Sequence, residues 1–290
     1  MRLSRTTFGI LCTIPGLATL LAFIFYPTVY NVWVSLLKYD NRSPIVFSGI
    51  RNYLWLFRSP DFARSWTVST VSSLGTTGWS FLIGLLLAHC LRAIGKGRNV
   101  YLTLVMLPWI VPPVIAGLMW KWMFNQDIGV FNYLLKMIGL IDRNIPFLAL
   151  PGWAMTSAIL TGSFFYAPFI TVILLAGLES IPEEVYEAAQ ADGANNLQCF
   201  YHMSLPLNRH QMIVAFVIVL MFSFRTPDIF FSLTRGGPAK HTYHAGLFLQ
   251  ETIYRYLNFG HAGAIGVVLF ASTMAFAFPI LYHGIMKRST

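Results

Sequence analysis

The sequence predicts an all-α membrane protein with six transmembrane helices, and two observations carry this prediction. Only 11% of the 290 residues are charged and 56% are hydrophobic, whereas soluble domains contain about 25% charged residues. The hydrophobic residues also fall into long runs, and a helix needs about 20 of them to cross the hydrocarbon core. A chain with so few charges cannot cover a surface that faces water, so a soluble fold is excluded.

Six apolar runs have the length of a span. Five of the six contain no Asp, Glu, Lys or Arg. The exception is the fifth run in chain order, which carries Arg225 and Asp228 near its far end. The first run is longer than the 7–15 residues or so of a secretory signal, so it is predicted to be an uncleaved span. Within one transmembrane domain of residues 1–290, the predicted spans cover about residues 8–37, 65–91, 99–120, 147–178, 211–234 and 258–286.

The basic residues lie in ones and twos between the apolar runs, which is typical of anchoring at membrane edges and not of a nucleic-acid surface. Six spans place both termini on the same side. Lys and Arg occur in loops on both sides, so the positive-inside rule does not settle the orientation. The short loop with Arg92, Lys96 and Arg98 and the tail with Lys287 and Arg288 favour cytoplasmic termini.

Prolines occur within several predicted spans. Each one removes a backbone donor and leaves a carbonyl that needs a partner inside protein or in a wet cavity. A single proline is explained by the frequency of this residue in membrane helices, but the set together indicates broken helices along a translocation path. The prolines are Pro15, Pro27, Pro108, Pro112, Pro113, Pro168, Pro227 and Pro279.

The polar loop of residues 179–210 predicts a helix, a sharp turn and a second helix. Ser180 and Glu183 have the spacing of a capping box, with Pro182 in the first turn. Gly193 is predicted to end this helix in the left-handed conformation.

The second helix of the loop is predicted to be capped by Asn195 or Asn196 and to run through Phe200 and Tyr201. It is predicted to stop before Leu205 and Pro206, because proline cannot continue a helix.

One face of this hairpin offers small and apolar residues, with Glu187 beside them as a partner for Arg or Lys. Such a face favours docking to another protein, but an amphipathic helix on the membrane surface has the same pattern. The apolar residues are Val185, Ala188, Ala189 and Phe200.

A spaced motif runs through the same loop, formed by Glu187, Ala188, Ala189, Gly193, Leu205 and Pro206. It resembles the EAA loop of the membrane-spanning subunits of binding-protein-dependent ABC importers, and every spacing between the motif residues matches the spacing in that family. Met203 stands where that family usually has Ile. The resemblance implies that these residues, together with Asp192, contact the ATP-hydrolysing subunit in the cytoplasm.

Three further segments narrow the resemblance to carbohydrate importers of the maltose and glycerol-phosphate type. Leu233–Pro238 reads LTRGGP and is similar to the LTGGGP of the first of the two paired permeases, with Arg235 replacing the usual Gly or Asn. The other two segments are similar to the first outer loop and to the stretch after the third span. Their residues are Gly49, Asn52 and Tyr53, and Trp120, Trp122, Phe124, Gly129, Asn132 and Leu135.

The resemblance implies a type I ABC importer permease without catalytic activity, located in a bacterial or archaeal cytoplasmic membrane with both termini in the cytoplasm. Its partners would be a second permease, two ATP-binding subunits, an extracytoplasmic solute-binding protein, membrane lipid and a sugar or polyol, with no nucleic acid. The chain has no Walker A motif. ATP and magnesium are therefore expected on the partner subunits, with no cofactor on this chain.

Arg225 and Asp228 are spaced for an ion pair on one helix face, and charges this deep in the membrane cannot face lipid. They form either a structural pair near the outer boundary or part of the solute route. Two stripes of aromatic and hydroxyl side chains suit a sugar, although plain helix packing more often produces such stripes. These stripes are Phe222, Ser223 and Thr226 on the fifth span, and Phe165, Tyr166 and Phe169 on the fourth.

The main alternative is a secondary transporter or channel that works without ATP. It would have coupling acids or basic rings in several spans, whereas only Arg225 and Asp228 stand clearly within one. A membrane-embedded enzyme would need a cluster of reactive residues, and none is evident. His241 and His244 lack a third ligand, so a metal site is not expected.

Overall fold

The computed structural model describes residues 5–284, and most of these residues are helical, as the sequence predicts. Arg2, Lys287, Arg288 and the last two residues of the sixth predicted span lie outside the described residues. The chain divides into two compact units. One contains the described residues up to Phe62 together with Leu249–Ala271, and the other contains Ala63–Phe248 and the described residues from Ser272 onward.

The regular elements follow one another with short connections. A π turn at Leu21–Phe25 joins the first two helices, a second lies at Phe200–Ser204, and β1 (Leu37–Lys38) pairs antiparallel with β2 (Val46–Phe47). In chain order the helices are α1 (Arg5–Leu20), α2 (Tyr26–Ser35), α3 (Arg51–Arg58), α4 (Pro60–Ala93), α5 (Arg98–Ile110), α6 (Pro113–Met123), α7 (Val130–Met137), α8 (Pro151–Glu179), α9 (Glu183–Ala191), α10 (Asn196–Cys199), α11 (Leu205–Leu207), α12 (Arg209–Arg225), α13 (Asp228–Leu233), α14 (Ala245–Tyr254) and α15 (Phe259–Gly284).

Within residues 5–284, four helices are long and apolar enough to cross a membrane, and there are six candidates if each of two bent pairs counts as one span. The four long spans agree with the first, second, fourth and sixth predictions. They are Cys12–Ser35, Pro60–Ala93, Pro151–Glu179 and Phe259–Ile280.

The third predicted span is a broken helix, as its prolines predict. α5 and α6 meet at an angle of 93°, because Pro112 and Pro113 follow one another and a residue before proline avoids the helical region. Val111 accordingly has an extended backbone.

The fifth predicted span is also broken, at Pro227, as predicted, but its bounds differ from the prediction. α12 ends at Arg225, and the chain is extended at Thr226 before Pro227. The segment from Asn196 to Leu207 bends by 68° into α12, so the apolar pair begins in the polar loop and ends earlier than predicted.

The prolines act differently according to their position. Those at 112, 113 and 227 mark breaks, as predicted, whereas Pro15, Pro108, Pro168 and Pro279 lie inside continuous helices. Pro27 follows the first π turn and Pro206 follows the second. A π turn uses acceptors five residues back, and this wider turn leaves room for the proline ring.

In the first unit, Asn52 on α3 holds the end of the first span. Its buried side chain donates hydrogen bonds to the carbonyls of Ser35 (2.7 Å) and Leu37 (2.8 Å). The Tyr53 hydroxyl lies 2.6 Å from the Ser35 hydroxyl. The outer-loop residues identified by resemblance therefore fasten α3 to the end of α2.

In the second unit, α4 and α8 pack closely along a seam of small and hydroxyl residues. Ser80 donates to the Ser163 carbonyl and Ser163 donates to the Thr76 carbonyl, both at 3.3 Å. A Cβ on Gly84 would lie 2.7 Å from Ile170 Cγ2, so only glycine permits this approach. Small residues and interhelical hydrogen bonds are the usual source of helix association in membranes.

The segment after α6 forms an aromatic cluster. Trp120 and Phe124 both stack on Phe131, with ring centroids 5.5 and 4.8 Å apart. The buried Asn132 donates to the Ile145 carbonyl (3.0 Å) and accepts from its amide (2.8 Å). These contacts explain the aromatic and Asn residues that the resemblance singled out.

Candidate functional site

The loop of residues 179–210 is a helical hairpin, as predicted. α9 ends at Ala191, and Gly193 has a φ of +90°, which favours glycine over other residues. Asn195 caps the second arm in a reciprocal capping box with Gln198. A sharp turn between two capped helices gives the hairpin a defined shape.

Two details of the predicted hairpin are wrong. Ser180 does not cap α9, because its hydroxyl donates to the Gly177 carbonyl at the end of α8, and Pro182 stands at the N-cap of α9. The second arm does not stop before Leu205 and Pro206. It continues through the π turn into α11.

The motif residues divide into exposed and buried sets. Glu187, Ala188, Asp192 and Gly193 are exposed on α9 and its turn, and a Cβ on Gly193 would meet nothing within 4 Å. Ala189 is buried in the apolar core of this unit.

Leu205 and Pro206 lie at the far end of the second arm, half-buried and exposed respectively. The exposed residues of the motif therefore present a polar edge next to an open turn, while Ala189 packs within the chain.

Arg92, in the last turn of α4, braces the hairpin. Its guanidinium carbon lies 4.0 Å from the centroid of the Tyr186 ring, and its Nη2 lies 3.4 Å from Glu183 Oε2. The Tyr186 hydroxyl lies 3.0 Å from the Ser204 hydroxyl on the second arm. Tyr186 thus joins both arms and the end of α4.

The base of the hairpin is held by two further contacts. Arg98, at the start of α5, forms an ion pair with Glu179 at the end of α8. Asn208 is buried and donates to the Leu174 carbonyl at 3.0 Å, and a Cβ on Gly177 would overlap its side chain. The loop between α4 and α5 and the hairpin therefore lie on the same side of this unit.

The aromatic residues predicted for the solute route gather around Trp109, which sequence reasoning missed. Its ring centroid lies 5.0 Å from that of Phe169, 5.2 Å from Phe165 and 5.8 Å from Tyr166. Phe222 on α12 lies 6.1 Å from Phe169. The signal for Trp109 was only its place beside Pro108 in an apolar run.

A small polar group adjoins these rings. Thr226, Arg225 and Asp228 all lie near the Tyr166 hydroxyl. The prediction that Arg225 and Asp228 share one helix face is wrong, because Pro227 separates the end of α12 from the start of α13. Arg225 is exposed and Asp228 is half-buried.

Ser223 lies apart from this group. Its hydroxyl is buried and lies 3.3 Å from the Thr77 hydroxyl on α4. The structure thus brings together Phe165, Tyr166, Phe169, Phe222 and Thr226, and it places Ser223 against α4.

A cavity of about 300 Å³ lies at the bend between α5 and α6. Phe165 lines it together with Val111, Ala116 and Trp120, and every side chain around it is apolar. The side chains that line it carry no hydroxyl group and no charge.

The segment between the fifth and sixth predicted spans holds a buried histidine. His244 Nδ1 accepts a hydrogen bond from the Gly246 amide at 3.1 Å, and the ring stacks on Phe230. Burial lowers the pKa of His244 to about 4. Across residues 5–284, no group of three or more His, Cys, Asp or Glu is placed to hold a metal ion.

Comparison with known proteins identifies the family of this chain. The profile described as binding-protein-dependent transport system inner membrane component matches residues 80–289. The trehalose/maltose transport system permease of Thermococcus litoralis is 32% identical over 283 residues, which cover 97% of this chain and 94% of that protein. The sulfoquinovosyl glycerol transport system permease of Agrobacterium fabrum is 29% identical over 268 residues, covering 92% and 86%.

A solved structure shares the fold. It is a bacterial alginate ABC transporter in complex with alginate pentasaccharide-bound periplasmic protein, and one of its chains matches with a TM-score of 0.81 at 21% identity over 98% of this chain and 96% of that chain. The family profile covers well over half of the sequence. This chain therefore belongs to the inner membrane components of binding-protein-dependent transport systems, which are the permease subunits of ABC importers.

Proposed function

We propose that this chain is the first of two paired permeases in an ATP-driven importer. We further propose that the hairpin of residues 179–210 docks on an ATP-binding subunit and moves with it when ATP binds. The observation that carries the proposal is the hairpin itself. It exposes Glu187, Ala188 and Gly193 at one end, and Arg92 and Tyr186 fix it to α4 at the other. A rigid connection of this kind transmits movement as a rigid body.

The same contacts support an orientation. Arg92 and Arg98 contact Glu183 and Glu179, so the basic loop between α4 and α5 lies beside the hairpin. Basic loops favour the cytoplasmic side. The hairpin, the α4–α5 loop and both termini are thus assigned to the cytoplasm, with the ATP and magnesium bound by the partner subunits.

The proposed substrate is a carbohydrate or related polyol, delivered by an extracytoplasmic binding protein. Permeases of a trehalose/maltose and of a sulfoquinovosyl glycerol transport system are similar to this chain over more than nine-tenths of its length. Trp109, Phe165 and Phe169 offer ring faces for the C–H faces of a sugar, while Tyr166 and Thr226 offer hydroxyl groups. Arg225 and Asp228 are assigned to the same route.

Reconstitution of the importer in vesicles tests this function. We expect uptake of a radiolabelled sugar only when the binding protein is outside and ATP is inside. Uptake driven by a proton or sodium gradient without ATP would contradict the proposal and favour a secondary transporter.

Two variants test the docking edge. Glu187→Lys reverses an exposed charge and Gly193→Asp places a side chain at φ +90°, so both should assemble but lose ATPase stimulation by the loaded binding protein. Glu184→Lys is the matched control, because Glu184 is an exposed acid on the same helix outside the motif. Normal transport by the Glu187 and Gly193 variants would contradict the docking role.

A further inference from the structure

The short helix α3, in the first unit, has an unusual distribution of side chains. Asn52 and Leu56 are buried, yet four large apolar side chains of α3 and the residue before it stay exposed. A soluble surface rarely carries so much apolar area on two turns of helix. The exposed side chains are Ile50 (65%), Leu54 (47%), Trp55 (37%) and Phe57 (65%).

The position of α3 in the chain explains this exposure. α3 ends at Arg58, and Ser59 links it directly to α4, which is a membrane span. At about 1.5 Å per residue, the apolar part of α4 begins within about 10 Å of that link. α3 is therefore an amphipathic helix at the membrane boundary, with its apolar side chains towards lipid.

One stripe of α3 is cationic at both ends and apolar in the middle. Arg51, Leu54, Trp55 and Arg58 are spaced i, i+3, i+4 and i+7, so they share a helix face. Together with Ser59 and Pro60 they line an open pocket of about 540 Å³.

Both guanidinium groups of this stripe are available for a ligand. Arg51 and Arg58 are exposed, and within the stretch that the structure describes neither side chain has a hydrogen-bonding or ion-pair partner. Trp55 is held in place between them, because its ring stacks on His261 with centroids 3.6 Å apart and planes within 9°. The pocket is thus shaped before any ligand arrives.

We propose that this pocket binds the phosphodiester headgroup of an anionic phospholipid. The two arginines lie at the two ends of this stripe. Their positive charge and planar arrays of N–H donors match the charge and the oxygen acceptors of a phosphate. Leu54 and Trp55 between them suit the glycerol and upper acyl region, where tryptophan is typical of the membrane interface. An acidic protein surface would match the charges but would leave the exposed apolar side chains facing water.

The test compares lipid retention by the intact importer complex in nanodiscs made from equal parts of phosphatidylglycerol and phosphatidylcholine. Native mass spectrometry then measures which lipid stays bound. We expect phosphatidylglycerol to be enriched on the unaltered protein. This enrichment should fall about tenfold in the double variant Arg51→Gln, Arg58→Gln, because each basic residue near an anionic surface strengthens the attraction to anionic lipid. Arg42→Gln is the control, because Arg42 is exposed in the preceding loop but lies outside the stripe.

Four outcomes would overturn the proposal. The first is equal retention of both lipids by the unaltered protein, and the second is undiminished phosphatidylglycerol enrichment in the double variant. The third is unchanged lipid retention together with weaker affinity for the binding protein, which would make the stripe a protein contact. Inorganic phosphate added to phosphatidylcholine nanodiscs separates the sources, and thermal protection by phosphate alone would also contradict a lipid site.

Discussion

The Arg92 guanidinium carbon lies over the Tyr186 ring, 4.0 Å from the ring centroid, and Arg92 Nη2 lies 3.4 Å from Glu183 Oε2. This relationship joins the last turn of α4 to the first arm of the hairpin of residues 179–210, and α4 packs on α8 through a seam of glycine and hydroxyl residues. If the hairpin docks on an ATP-binding subunit as proposed, we expect its movement to reach α8 through these contacts.

Arg92→Ala should weaken this connection. A cation–π contact contributes about 0.5–2 kcal/mol and a partly exposed ion pair contributes less. We expect the variant complex to assemble, with ATPase stimulation by the loaded binding protein reduced about five- to tenfold. Lys96→Ala removes an exposed charge from the same loop and should have no effect. Equal ATPase stimulation in the two variants would show that the Arg92 contacts do not transmit movement of the hairpin to α4.

Gly84→Ala should destabilise the second unit, because the new methyl group would lie 2.7 Å from Ile170 Cγ2 and 3.1 Å from the Ala167 carbonyl oxygen. Overpacking of this kind costs about 1–3 kcal/mol. Gly78→Ala, on the same helix, meets nothing within 4 Å and should be neutral. Thermal unfolding of the purified complex measures both, and equal melting temperatures would contradict close packing of α4 on α8.

Tyr166→Phe and Thr226→Val should each raise the KM for transport about two- to tenfold, since each removes one hydroxyl that is proposed to bond the sugar. Thr161→Val is the control, because the Thr161 hydroxyl on the same helix α8 donates to the Ser157 carbonyl at 2.8 Å. Unchanged KM values in well-expressed protein would assign Tyr166 and Thr226 to packing.

Acidification should destabilise the protein through His244. Its pKa falls from an ordinary 6.5 to about 4 in the folded chain, so between these values the unfolded chain binds more protons and stability decreases as the pH falls. The loss should reach about 2 kcal/mol by pH 5 and be absent at neutral pH.

The comparison for His244 uses two variants. His244→Gln should flatten the pH dependence of the melting temperature, whereas His241→Gln should leave it as it is, because His241 is exposed. Identical pH profiles in all three proteins would contradict a neutral, buried His244.

Local chemistry made much of this structure predictable. Long apolar runs predicted four of the spans, Gly193 predicted the turn of the hairpin, and the adjacent prolines predicted the break at Val111. Sequence also pointed to the LTRGGP segment, where Arg235 has a φ of +51°. That conformation explains why a glycine or asparagine is usual at this position.

The remaining features depend on contacts that local patterns do not encode. Arg92 and Glu183 are 91 residues apart, and no local pattern pairs them with each other. Ser180 has the spacing of a helix cap, but the end of α8 takes its hydroxyl first. The bend between α5 and α6 could be inferred as a break, but the adjacent prolines alone do not specify its angle of 93°.

The central claim is that this chain works as one permease within an ATP-driven assembly. Purifying the C-terminally tagged protein from native membranes in mild detergent, and identifying the co-purifying proteins by mass spectrometry, tests it most directly. The account predicts an ATPase with a Walker A motif and a second permease carrying an EAA loop. Recovery of this chain alone or as a homo-oligomer, even after crosslinking, would contradict it.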